Sequence, residues 1–150
     1  MKIYLASPLF NVQQKARINK VVQVLRSAGH EVYSPMEHEI PNAWNIPNHE
    51  WAQAVYKEDV KNLNEADTVV AIYEGMDSDT GTAWEIGYAV ASKKKVYVIV
   101  EDASKIQSLM VINGADAVFH SIGEFIDIFK FNDKVHDCNK FSFLFPFYQS

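Results

Sequence analysis

The chain has 150 residues, 48% of them apolar, and a formal net charge of −5. That length suits one domain spanning 1–150, large enough to bury about two thirds of its unfolded surface. The acidic balance, with no basic cluster beyond Lys93-Lys94-Lys95, argues against polymeric nucleic acid as a partner. No apolar run approaches the ~20 residues of a membrane span.

In chain order, Lys2–Ala6 predicts a first strand, followed by the loop Ser7-Pro8-Leu9-Phe10-Asn11. That loop carries no GxGxxG, so the dinucleotide fingerprint is absent. Ile18, Val21, Val22 and Leu25 recur at helical spacing, and Gly29 stops that helix. Glu31–Ser34 reads as a short strand. The loop from Pro35-Met36-Glu37-His38-Glu39 through Pro41, Trp44 and Pro47 is long enough to be functional. A helix from Asn48 to about Asn64 sets Trp51, Val55, Asp59 and Leu63 on one face. Asp59 interrupts an apolar stripe there, so its carboxylate needs either a hydrogen-bonding partner, such as a backbone amide or the Tyr56 region, or a cavity.

Thr68–Tyr73 is an apolar run expected to form a buried parallel strand. After it come a helix from about Thr82 to Ser92, a strand over Lys95–Val100 and a short helix around Lys105–Ile112. A strand over Asp116–Phe119 and a helix over Ile122–Phe129 complete the series. Alternating strands and helices with short connections predict an α/β fold: a five-stranded parallel sheet flanked by helices in three layers.

The acidic loop Asp77-Ser78-Asp79-Thr80-Gly81 lies between the central strand and the helix that carries Glu85. In open α/β sheets this edge is where ligands bind. Glu85 is expected in the first helical turn, where the macrodipole would hold it ionised and fit to act as nucleophile, base or hydroxyl acceptor. Ordinary helix capping is the simpler use of such acids.

The single Cys138 excludes an internal disulfide and fits a reducing cytoplasm, and the start of the chain has no signal-peptide pattern. Only the adjacent His136 and Asp137 could partner that thiol. The five histidines are scattered without metal-site spacing, so no metal and no cofactor are expected. The aromatic tail, about 140–150, would be a large apolar patch on a monomer. It packs either on its own domain or, as expected here, at a subunit interface.

Three features together, Lys2-Ile3-Tyr4-Leu5-Ala6-Ser7-Pro8, Asp59, and Asp79-x-Gly81-Thr82-Ala83-x-Glu85-x-Gly87, make the chain resemble a nucleoside 2-deoxyribosyltransferase from Met1 to about Phe119. The resemblance implies a flavodoxin-like, Rossmann-like sheet. It also implies a homo-oligomer whose neighbours complete each other's sites, acting on deoxynucleosides and free nucleobases. By position, Glu85 would be the nucleophile that forms a deoxyribosyl ester, and a second base would resolve the ester with retention. Asp59 and Asp79 would supply or relay the leaving base's proton, Tyr4 would orient the nucleophile, and Phe10 would stack on the base. Ser7 and Gly81, in the two motif loops, would join them at the substrate.

Two positions depart from the family pattern. Glu39 stands where a glutamine is common; an ionised glutamate only accepts hydrogen bonds and would favour exocyclic amino groups. Ser108 replaces an asparagine expected to hold the sugar of a neighbour's substrate. Serine there resembles related N-glycosidases acting on 2′-deoxynucleoside 5′-monophosphates, which is the alternative function. Against that alternative, the Ser7–Asn11 loop lacks arginine. A non-catalytic nucleoside-binding domain is a further alternative.

Overall fold

The computed structural model describes residues 1–75 and 79–131. The readings for Asp77, Ser78, Cys138 with its neighbours, and the aromatic tail lie outside them.

Among the described residues ten strands and α-helices follow one another, besides two short 3-10 turns: β1 (Lys2–Ala6), α1 (Val12–Ser27), β2 (Glu31–Tyr33), α2 (Asn48–Glu65), β3 (Thr68–Tyr73), α3 (Thr80–Ala91), β4 (Lys95–Val100), α4 (Leu109–Gly114), β5 (Ala117–Phe119) and α5 (Ile122–Phe131). All strand pairs are parallel and the order is β2-β1-β3-β4-β5. This is the flavodoxin-like arrangement, with the reversal of strand order between β1 and β3.

Alternation along each strand divides the core into two faces. Ile3 and Leu5 of β1 and Val70 and Ile72 of β3 pack with Ile18, Val21 and Leu25 of α1 and Phe125 of α5. Tyr4 and Ala6, with Val69, Ala71 and Tyr73, point to the other face and meet Leu63 of α2, Ile86 and Ala89 of α3, and Ile112 of α4. The side chains nearest the reversal of strand order on that second face include two tyrosines, Tyr4 and Tyr33, directly opposite one another in the β1–β2 register.

Three local features differ from the sequence reading. First, α3 begins at Thr80 rather than Thr82, because Asp79 caps it: its carboxylate accepts from the amides of Gly81 and Thr82, both at 3.1 Å. Glu85 therefore falls in the second turn, beyond the part of the helix where the macrodipole acts strongly. Second, the helix expected around Lys105 starts only at Leu109. Asp102 accepts from the backbone and hydroxyl of Ser104, and the Gln107 amide donates to the carbonyls of Asp102 and Lys105. These bonds give the backbone a non-helical alternative. Third, only Leu63 of the four-residue stripe on α2 is core; Trp51, Val55 and Asp59 face an open cavity instead.

Candidate active site

Between the C-terminal ends of β1, β2 and β3 lies a cavity of about 900 Å³, within the range of small-molecule sites. One wall is the loop between β2 and α2, which contributes Met36, His38, Glu39 and Trp44; α2 contributes Trp51, Glu58 and Asp59. Ser7 and Phe10 come from the loop after β1, and Asp79, Gly81 and Glu85 from the start of α3. The placement of Phe10 follows from a capping box: Asn11 and Gln14 exchange hydrogen bonds, and the Gln14 side chain also accepts from the Phe10 amide at 2.8 Å. Gly81 has a steric reason to be glycine, since a Cβ there would stand 3.0 Å from the capping carboxylate of Asp79.

Glu85 is the centre of the arrangement. Tyr4, fully buried, donates its hydroxyl to Glu85 Oε1 at 2.6 Å. Burial is the largest influence on Glu85 and pushes its carboxyl up to about 7; the Tyr4 hydrogen bond pulls down, and the charges of Asp59 and Asp79 push up. The expectation of a carboxylate held ionised by the helix dipole is therefore corrected: Glu85 lies in the second turn, and burial raises its carboxyl to titrate at about 7. Burial and then the Glu85 charge raise Tyr4 far above an ordinary phenol, so it remains a donor.

Asp59 finds its partner in Tyr33, whose hydroxyl donates to Oδ1 at 3.1 Å; neither a backbone amide nor the Tyr56 region is involved. Burial raises its carboxyl above the usual range, while the Tyr33 hydrogen bond and His38 oppose that and Glu58 adds to it. The rings of Tyr4 and Tyr33 stack at 5.4 Å, and His38 stacks on Tyr33 at 4.3 Å. Neither Tyr33 nor His38 stood out in the sequence. Their signal was parity: Tyr33 follows its strand's alternation onto the Tyr4 side of the sheet.

Of the nine residues expected at the site, seven line this one cavity: Glu85, Asp79, Asp59, Phe10, Ser7, Glu39 and Gly81. Tyr4 backs Glu85 from beneath. Ser108 does not reach it; it caps α4, its hydroxyl accepting from the Val111 amide, beside the exposed Leu109 and Met110. Among the described lining residues, five carboxylates (Glu39, Glu58, Asp59, Asp79 and Glu85) face Lys15 and His38. No group of three or more His, Cys, Asp or Glu among the described residues is arranged to hold a metal ion, and no described helix is long and apolar enough to cross a membrane.

Fold and crevice together define a flavodoxin-like α/β protein with an acidic cavity at its topological switch point. The family model for nucleoside 2-deoxyribosyltransferase matches residues 3–135, and the chain belongs to that family. A 2-deoxyribosyltransferase from the psychrotolerant bacterium Bacillus psychrosaccharolyticus superposes with a TM-score of 0.77 at 35% identity, covering 85% of this chain and 92% of that one. A nucleoside deoxyribosyltransferase of Limosilactobacillus fermentum is 31% identical over 107 residues, 65% of this chain. The chain spans 36% and 64% of the lengths of the two curated relatives it matches. A CMP N-glycosidase from Clostridium botulinum, 19% identical with a TM-score of 0.61, shares the fold.

Proposed function

We propose that this chain transfers a 2-deoxyribosyl group between nucleobases by a double displacement through Glu85. The observation that carries the reading is the Tyr4–Glu85 pair: a partly buried carboxylate, oriented at 2.6 Å and titrating at about 7, at the edge of a cavity large enough for a nucleoside. One oxygen of Glu85 attacks C1′, the C1′–N bond breaks, and its electron pair leaves with the base. A carboxylate beside the anomeric carbon stabilises the oxocarbenium-like transition state, as in retaining glycosidases. The departing ring nitrogen takes a proton as it leaves. Asp59 is better placed than Asp79 to supply it, because both Asp79 oxygens already accept hydrogen bonds from the start of α3. A ring nitrogen of the incoming base then attacks C1′, gives its proton to the ionised Asp59 and releases Glu85 as a carboxylate, so two inversions give retention.

The ring of carboxylates favours a free deoxynucleoside over a monophosphate, whose phosphate it would repel. Glu39 at the rim, acceptor-only when ionised, favours bases with exocyclic amino groups such as adenine and cytosine. Ser108, outside its own cavity and beside exposed Leu109 and Met110, is assigned to the site of a neighbouring copy in a homo-oligomer.

The deciding experiment incubates the protein with a deoxynucleoside without acceptor, quenches it, and seeks a deoxyribosyl adduct on the peptide holding Glu85 by mass spectrometry. An adduct there, absent in Glu85→Ala, supports the reading; an active enzyme lacking it removes Glu85 as nucleophile. New nucleoside only when a second base is added marks a transferase, and free base released chiefly from a monophosphate marks an N-glycosidase. No turnover leaves a binding domain. Equal use of adenine, cytosine and hypoxanthine as acceptors would count against the role of Glu39.

A further inference from the structure

The two tyrosine–carboxylate pairs are built alike. Tyr4 on β1 reaches across to Glu85 on α3, and Tyr33, its register partner on β2, reaches across to Asp59 on α2. The two rings stack 26° from parallel at 5.4 Å, and the His38 imidazole lies 15° from the plane of Tyr33 at 4.3 Å. Tyr33 is thus a buried ring in a row of three, with little freedom to turn its hydroxyl away from Asp59.

We propose that Tyr33 is the positioning residue of Asp59: its hydroxyl fixes one carboxylate oxygen, so that the other is presented to the ring nitrogen of the departing base. This rests on the transfer reading given above. A proton donor acts only within hydrogen-bond reach of its acceptor, and a carboxylate on a helix facing an open cavity has rotamers that miss it. The Tyr33 hydrogen bond removes that freedom. Tyr33 itself does not supply the proton, because burial first, and then the Asp59 charge, keep its phenol protonated. The charged and titratable groups around Asp59 are Glu58 on its own helix, His38 from the β2–α2 loop, Glu85 from α3, and Tyr4 and Tyr33 from the sheet.

Tyr33→Phe tests the proposal, since it keeps the ring and its stacking and removes only the donor. The plateau kcat for base exchange should fall about 10-fold, the upper end of what one hydrogen bond to the protonated carboxyl supplies. KM for the deoxynucleoside should change less than about 2-fold. The alkaline limb of the pH profile should move to higher pH, because the lost donor had favoured ionised Asp59. In an Asp59→Asn background the same substitution should have no further effect on kcat. A titration of Asp59 followed by carboxyl-carbon NMR reads the pair without activity, and its midpoint should rise in Tyr33→Phe. An unmoved midpoint, or a kcat loss of the same size in the Asp59→Asn background, would overturn the proposal. A wild-type protein without base exchange would defeat the transfer reading instead, and the NMR titration would still decide whether Tyr33 governs Asp59.

Discussion

Tyr4 and Glu85 stand 81 residues apart in the chain, yet the hydroxyl of one and a carboxylate oxygen of the other meet at 2.6 Å. The contact joins the strand beside the reversal of strand order to the helix that opens the crevice. It also holds the carboxylate's titration down against the burial that raises it.

Tyr4→Phe removes that hold with almost no change in volume. The Glu85 carboxyl should then titrate above its present value of about 7. If ionised Glu85 is the attacking form, the acidic limb of kcat/KM moves to higher pH, and activity at neutral pH falls about 10- to 100-fold. Initial rates of base exchange across the pH range check this.

Glu85→Gln should separate stability from activity. The folded carboxyl binds its proton more tightly than the usual 4.5 would imply. Its contribution to stability therefore declines as pH rises from about 4.5 to about 7 and is flat beyond. The amide has no such penalty. The variant should be more stable than the parent by about 1–3 kcal/mol near pH 8, with no advantage near pH 4, while transfer is abolished. Denaturant melts at the two pH values measure the difference.

Asp79 has two roles that substitution can divide. Asparagine is as good an N-cap as aspartate, so Asp79→Asn should stay within about 0.5 kcal/mol of the parent, whereas Asp79→Ala should lose about 1 kcal/mol. Equal activity losses in both variants would trace to the missing charge beside Glu85. A loss confined to alanine would trace to the start of α3 alone. Thermal melts and exchange rates on the same preparations distinguish the two.

Much of this arrangement is legible in the amino-acid order. The bounds of β3 and β4 follow directly from their apolar runs, and they agree residue for residue with the structure. The placement of Asp79 and Glu85 at the sheet edge follows from their loop, and that Asp59 joins them around one cavity is what the family resemblance implies. What was hidden depends on contacts between distant segments. The partner of Asp59 required the β1–β2 register, which no local pattern reports. The state of Glu85 depends on how far it is enclosed and on where α3 begins, which puts it in the second turn, away from the dipole's strongest field. At residues 102–107, a polar turn with side chains bonded to its own backbone displaced the expected helix start.

Two glycines with positive φ give a controlled comparison. Gly75, at +84°, follows β3, and a Cβ there would lie 3.1 Å from Lys105 Cβ and 3.2 Å from the Ile106 carbonyl oxygen. Gly29, at +87°, has nothing within 4 Å. Gly29→Ala should cost about 1 kcal/mol for the backbone conformation alone, and Gly75→Ala about 1–3 kcal/mol more. Melting temperatures of the two variants suffice to rank them.

The wall supplied by residues 35–44 hangs from β2, an edge strand, whereas Glu85 is braced by the interior of the sheet through Tyr4. On the proposed reading, guest preference and bond breaking would therefore be inherited on separate stretches of chain. A graft of a relative's wall onto this scaffold should then change which base is admitted and leave Glu85 on its original footing.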